Sequence, residues 1–218
     1  MTKNDGAKTT AQPIYDSLRE AIMSGKFRPG EPLRQDEIAR THGVSKIPVR
    51  EALLRLEVDG FVLFRKNRGA VVRELSAAEL LHLMDIRVAL ECKALELAIP
   101  NMIQSDLDEA EQVLREYASL ESIEHWSKMN RRFHKVLYEP CGNPQLLAMI
   151  NDLHQRMGPY LRLLMTETSG LDRPAQEHLA ILEACKATDT QLGVDLLKSH
   201  IETSKKETAA RLRRRDEG

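Results

Sequence analysis

Hydrophobic positions recur every three or four residues along most of the chain, the spacing of one face of an α-helix. Ile14, Leu18 and Ile22 predict a helix from about Pro13 to Ser24, after ten residues that read as disordered. Gly25 stops it, and Phe27-Arg28-Pro29-Gly30 reads as a turn. A short helix is expected from Gln35 to His42, ended by Gly43. Ser45 is placed to cap a further helix over Lys46–Val58, where Pro48 falls in the first turn and its missing N–H is harmless. After the turn at Asp59-Gly60 the pattern changes. Phe61–Phe64 and Ala70–Val72 predict two strands joined by a hairpin tip over Arg65–Gly69.

Beyond Leu75 everything reads helical. Segments are expected near Ala77–Ile99, Ile103–Ser119, Ile123–Tyr138, Pro144–Thr166, Pro174–Ala187 and Thr190–Leu212. Pro100-Asn101, Pro140 through Pro144, and Ser169 through Pro174 mark the breaks. Leu80, Met84, Arg87, Glu91 and Leu95 repeat along one helix face. The fold class is therefore mainly α: a winged helix-turn-helix over residues 1–74, then an all-helical antiparallel bundle of about six helices over 75–218.

The net charge of −1 conceals an asymmetry between these halves. Residues 1–74 carry 14 Lys or Arg against 10 Asp or Glu, and residues 75–218 carry 18 against 23. A basic module beside an acidic body suits a polyanion-binding head. Aromatic residues are only 4%, which excludes recognition by stacked aromatic platforms. Cys92, Cys141 and Cys185 are widely spaced, without a CxxC pair, so no disulfide framework, zinc finger or redox motif is expected. The first twelve residues lack the apolar core of a signal peptide, and no stretch is apolar enough for a membrane span, so a cytoplasmic location is expected.

The helix over Lys46–Val58 has the size and charge to enter a major groove with its N-terminal residues at base edges. Ser45 and Lys46 stand there, and Ile47 can pack on a thymine methyl. Arg50 follows one turn on, suited to a bidentate guanine contact or a phosphate. Arg55 reads as a phosphate clamp or a surface residue, and Arg34 sits where the duplex backbone is a plausible partner. The tip Arg65-Lys66-Asn67-Arg68-Gly69 concentrates three cations, and Gly69 would permit close approach to DNA. Exposed loops are also often basic without binding anything.

Asn130 and His134 share one helix face, and His178 and His200 fall on two later helices. Three imidazoles converging inside a bundle can hold zinc, nickel or manganese with positions left open for an oxygen donor. The alternative is that they are core hydrogen-bonders. His42, His82, His125 and His154 read as surface or satisfied, partly buried groups.

Tyr15 through Arg19, Gly25 through Leu33, Gly43-Val44-Ser45, Pro48 through Leu53, Leu56, Asp59-Gly60, Arg68-Gly69 and Val72 resemble the GntR family of bacterial transcription regulators, in order and spacing. The resemblance implies a homodimer on palindromic double-stranded operator DNA, contacted through Ser45, Lys46, Arg50, Arg68 and Gly69. Many relatives place an arginine where this chain has Asp36; Arg34 is the nearest substitute. Residues 76–212 resemble the FCD domain of the FadR branch through Asp85–Glu91, Asn130–His134, Cys141–Pro144 and the His178/His200 pair. That implies a divalent metal on the positions of Asn130, His134, His178 and His200, with Asn130 standing where metal-binding relatives have Asp. A small carboxylate effector would engage Arg87, or more weakly Arg162; Arg87 can instead pair with Glu91, one turn on.

The leading reading is a ligand-responsive transcription regulator, a repressor, sensing a small organic acid. A metal-dependent hydrolase and a non-sensing dimeric DNA-binding protein are the alternatives. No HExxH and no paired ExxH motifs support the hydrolase.

Overall fold

In the computed structural model the first apolar stripe begins earlier than its proline suggests. Helix α1 spans Asp5–Met23 with Pro13 inside it. Ala11 is buried and extends the stripe of Ile14, Leu18 and Ile22 by almost a turn, while Pro13 lies on the exposed side. The segment expected to be disordered is therefore helical from Asp5. The structure describes the backbone of residues 5–118, 123–165 and 172–216, and side chains over 11–116, 127–158, 160–161 and 173–214.

Helix α2 (Gln35–His42) ends at Gly43, whose φ of 63° and ψ of 33° place it in the left-handed region. Glycine enters that region without steric cost, and the N–H groups of Gly43 and Val44 then bond back to Arg40 O and Ala39 O. Helix α3 (Lys46–Val58) follows from Ser45. Val49, Ala52, Leu53 and Leu56 recur along one α3 face and are completely buried against α1. Ile47, Arg50 and Leu54 stay exposed.

Strands β2 (Val62–Arg65) and β3 (Gly69–Val72) form the expected hairpin, in the register Phe64↔Ala70 and Arg65↔Gly69. A two-residue strand β1 (Pro32–Leu33) joins β3 on its other edge, giving the order β1-β3-β2. Sequence patterning does not announce it, because two residues show no alternation. Pro32 lacks an N–H and is tolerated at a sheet edge. Ile14, Leu18, Val49, Leu53, Leu56, Phe61 and Val72 share one core.

A second compact unit, built on Ser76–Met157 and Leu161–Gly218, is all-helical. Helix α4 (Ala77–Ala98) starts with a capping box: Ser76 accepts from the Glu79 N–H, and Glu79 accepts from the Ser76 N–H. Then come α5 (Gln104–Ala118), α6 (Ile123–Tyr138), α7 (Pro144–Met165), α8 (Asp172–Lys186) and α9 (Thr190–Asp216). Short 3-10 turns at Ile99–Asn101 and Glu139–Cys141 fill two of the expected breaks. Helix α9 runs past Leu212, so the basic tail is helical, with the Arg213 side chain donating to Ala209 O near the end where cations complement the helix dipole. α4 packs on α9 and α6, α5 on α6 and α8, and α8 on α9. Leu95, Phe133, Leu137, Ile181, Leu182 and Leu197 lie in the core these contacts enclose. All three cysteines are free thiols. Among the described residues no helix is long and apolar enough to cross a membrane.

Candidate DNA-reading face and metal centre

The face of α3 opposite its buried stripe carries the residues expected to read DNA. Ser45, Lys46, Ile47 and Arg50 are exposed, Ile47 to 68%. Ser45 has extended backbone angles at the N-cap, but its hydroxyl makes no capping bond, and the first turn carries no acid. The first N–H groups of α3 are thus left without a side-chain cap, an arrangement that favours an anion. A notch of about 500 Å³ between β1, α2, the start of α3 and the hairpin is lined by Arg34, Arg40, Lys46, Arg68, Gly69 and two carboxylates, among others. Arg34, Lys46, Arg68 and Gly69 are therefore brought together. Arg50 and Ile47 lie further along α3, outside this notch.

Two of these cations are already engaged. Lys46 Nζ lies 2.5 Å from Asp36 Oδ1, and Arg34 Nε lies 3.8 Å from Glu37 Oε1. Arg40 was not anticipated; its spacing of four from Asp36 on α2 was the only local signal. Arg55 stacks over the Tyr15 ring at 4.6 Å, while Tyr15 donates to Asp59 at 2.5 Å. It is a surface residue held on α1. Burial, followed by the bond to Asp59, pushes the Tyr15 phenol up to about 12. Gly69 has a φ of 69°, and a Cβ there would meet nothing within 4 Å, so conformation and not space calls for glycine.

In the bundle, α6, α8 and α9 bring His134, His178 and His200 together. One ligating atom from each lies within 4.8 Å of the others, and all three residues are buried. His178 Nε2 is 3.3 Å from His200 Nε2. The Asn130 Oδ1 and His134 Nε2 atoms are buried with no hydrogen-bond partner. Each such orphan costs about 1–3 kcal/mol unless something satisfies it.

Hydrogen-bond directions orient two of the rings and leave one ring nitrogen bare. The Tyr138 hydroxyl donates its one proton to Glu91 Oε2 at 2.8 Å. Its 3.0 Å contact with His134 Nδ1 must then be donated by the histidine, which leaves His134 Nε2 as a lone pair. His200 Nδ1 lies 2.7 Å from Glu177 Oε2, so that nitrogen donates to the carboxylate, and Nε2 faces His178 Nε2. Outer carboxylate or hydroxyl partners of this kind orient metal-binding imidazoles.

The charges support these assignments. Burial opposes the Glu91 charge, but Arg87 and His154 overcome it and hold the carboxyl well below its usual range. Burial also opposes Glu177 ionisation, and the bonds to His200 and Arg173 bring it down. Burial, then the neighbouring Glu91, keeps Tyr138 protonated. Burial holds His134 and His178 well below the ordinary imidazole value, with neighbouring imidazoles adding to the effect, so both are neutral. Three imidazoles and one amide oxygen are a donor set that fits a divalent cation of the zinc, nickel or manganese group.

Arg87 meets Glu91 through two contacts, Nε to Oε1 at 2.6 Å and Nη2 to Oε2 at 3.3 Å. Glu91 is completely buried and also receives His154 Nε2 at 2.8 Å. Arg87 is thus committed to an internal carboxylate. The side chain of Arg162 lies outside the described residues. Tyr138 and Glu177 escaped the sequence reading. Tyr138 stands four residues after His134 on one helix face, a usable signal. Glu177 adjoins His178 in sequence but serves His200, which no local pattern reveals.

A winged helix-turn-helix with an exposed cationic helix, followed by a helical unit with an internal polar site, defines a DNA-binding regulator with a sensor domain. Residues 10–72 match the family model described as bacterial regulatory proteins, gntR family, and residues 82–203 match the FCD domain. The chain belongs to the GntR family, in its FCD-containing form, and is a non-catalytic transcription regulator. The uncharacterized HTH-type transcriptional regulator BphR of Paraburkholderia xenovorans (strain LB400) is 28% identical, over 90% of this chain and 84% of the relative. The HTH-type transcriptional regulator McbR of Escherichia coli (strain K12) is 30% identical, over 82% and 83%. A solved structure of E. coli McbR/YncC superposes with a TM-score of 0.79 at 27% identity, covering 93% of this chain and 95% of that one. The HTH-type transcriptional repressor GlaR of E. coli (strain K12) is 27% identical, over 87% and 91%.

Proposed function

We propose that this protein is a cytoplasmic, homodimeric repressor that binds palindromic double-stranded operator DNA and responds to a small organic acid received at a divalent metal. Residues 1–74 form the DNA-binding domain in this reading, and residues 75–218 the effector-binding and dimerisation domain. Ser45, Lys46, Ile47 and Arg50 contact the major groove, and Arg34, Arg68 and Gly69 contact the backbone. The observation that carries the sensor reading is the buried triad of His134, His178 and His200, with a bare Nε2 on His134 and the orphaned Asn130 Oδ1 four residues before it in the chain.

His134, His178, His200 and Asn130 would hold the ion. Bound there, it supplies a Lewis-acid point for carboxylate oxygens. Tyr138 and Glu177 orient the His134 and His200 rings with Nε2 toward the site. No donor in the set is charged, which leaves the site a full positive charge and favours an anionic effector. Arg87 serves by neutralising Glu91 inside the bundle, and Arg162 is a second cation for the acid. Effector binding and operator binding are linked, so an acid that prefers one dimer arrangement changes operator affinity by the same factor by which DNA changes acid affinity.

Elemental analysis of purified protein, with a thermal-shift screen of organic acids, tests this. His200→Ala should lower metal content and abolish acid-dependent stabilisation while sparing basal DNA affinity. A wild-type protein with neither metal nor acid-dependent stabilisation would make the histidines structural and the rear unit a dimerisation module.

A further inference from the structure

Two carboxylates stand among the cations of the notch that the DNA-reading residues line. Asp36, in the first turn of α2, reaches Lys46, the first residue of α3, at 2.5 Å, and Glu37 faces Arg34 at 3.8 Å. Arg40 and Arg68 line the same notch without an ion-pair partner among the described residues. The Asp36 and Lys46 side chains are 67% and 64% exposed, so water screens the pair and it does little to hold the fold together. Its position points to another role. An acid on a surface that must approach phosphates is unfavourable unless it controls a cation there.

We propose that Asp36 is a specificity-determining residue of the DNA-binding face, acting by withholding Lys46 from the phosphate backbone. The inference rests on the α3 face being the one that meets DNA. Non-operator duplex offers phosphates and no matched base edges, and affinity for it follows the number of cations free to displace counterions. Lys46 joins that set only by leaving Asp36, which then faces the phosphate itself. On the operator, α3 is seated by base-edge contacts from Ser45, Ile47 and Arg50. There the ammonium can keep Asp36 and still direct its remaining donors at the duplex. The acid therefore penalises non-operator binding more than operator binding.

The test uses the full-length protein, a labelled duplex of random sequence, and an operator recovered by selection from a randomised duplex pool. Asp36→Asn should tighten random-duplex binding about threefold or more and steepen its dependence of log affinity on log salt by about one. Operator affinity should rise less, so discrimination falls. Placed in a Lys46→Ala background, Asp36→Asn should have a clearly smaller effect, limited to removing the bare carboxylate charge. Unchanged random-duplex affinity and salt slope on Asp36→Asn would overturn the proposal. So would an undiminished effect without Lys46, because Asp36 would then act as a bare repulsive charge. Arg50→Ala, run beside these, separates the failures. If it leaves operator affinity intact, the assigned face is what fails; if it weakens the operator while Asp36→Asn changes nothing, only the role of Asp36 falls.

Discussion

One unit keeps its chemistry in solvent, and the other keeps it buried. In the DNA-reading unit the buried side chains are apolar, and Lys46, Arg50 and Arg68 stand in solvent. Among the described residues, every buried polar or charged side chain belongs to the helical unit: Arg87, Glu91, Ser127, His134, His178, His200 and Thr208. The difference follows from the ligands. A duplex is too large to enclose, so the first unit needs only a rigid apolar support for an external rod. A small ligand can be enclosed, so the second unit accepts the desolvation of charges in exchange for a site where they interact strongly.

Removing Glu91 should break the contrast most severely. Glu91→Ala leaves Arg87 buried and unpaired and strips Tyr138 and His154 of their acceptor. A loss of about 3–5 kcal/mol is expected, read as a lowered denaturation midpoint for the helical unit. A loss below about 1 kcal/mol would mean that the cluster is open to water.

Arg50→Ala probes the other side. Operator affinity should fall by about 1–3 kcal/mol with the melting temperature unchanged, because the side chain is exposed. A drop in melting temperature equal to the loss in binding would show that Arg50 is structural.

Acid pH should sharpen the contrast more gently. His134 and His178 are held neutral when folded, with values well below the usual imidazole range. From about pH 6.5 downward the unfolded chain takes up protons that the folded, metal-free bundle refuses. Folding stability therefore falls as pH falls, by up to about 1.4 kcal/mol per pH unit for each imidazole. The loss of Glu91 stabilisation belongs to a lower window, since its folded value is depressed below the carboxylate range and the unfolded group titrates near 4.5. Melting temperatures of wild type and His178→Leu across pH 7 to 5 check this; parallel curves would remove His178 from the account.

The stripe of Leu80, Met84, Arg87, Glu91 and Leu95 was readable because helical period is a local property, and all five residues are buried as that period requires. The hairpin and the Gly43 turn were readable for the same reason. Short-range signals misplaced the start of α1, where Pro13 marked a boundary that the buried Ala11 overrides. They were silent on β1, whose strand character exists only because β3 lies beside it.

Sequence alone determined the element order, the basic reading helix and the candidate histidines, because propensity, capping and periodicity act within a few residues. Tertiary structure decided that residues 44 and 22 positions apart meet within 4.8 Å, that Glu177 serves His200, and that Asp36 holds Lys46. Those pairings depend on how helices pack and cross, which no single helix encodes.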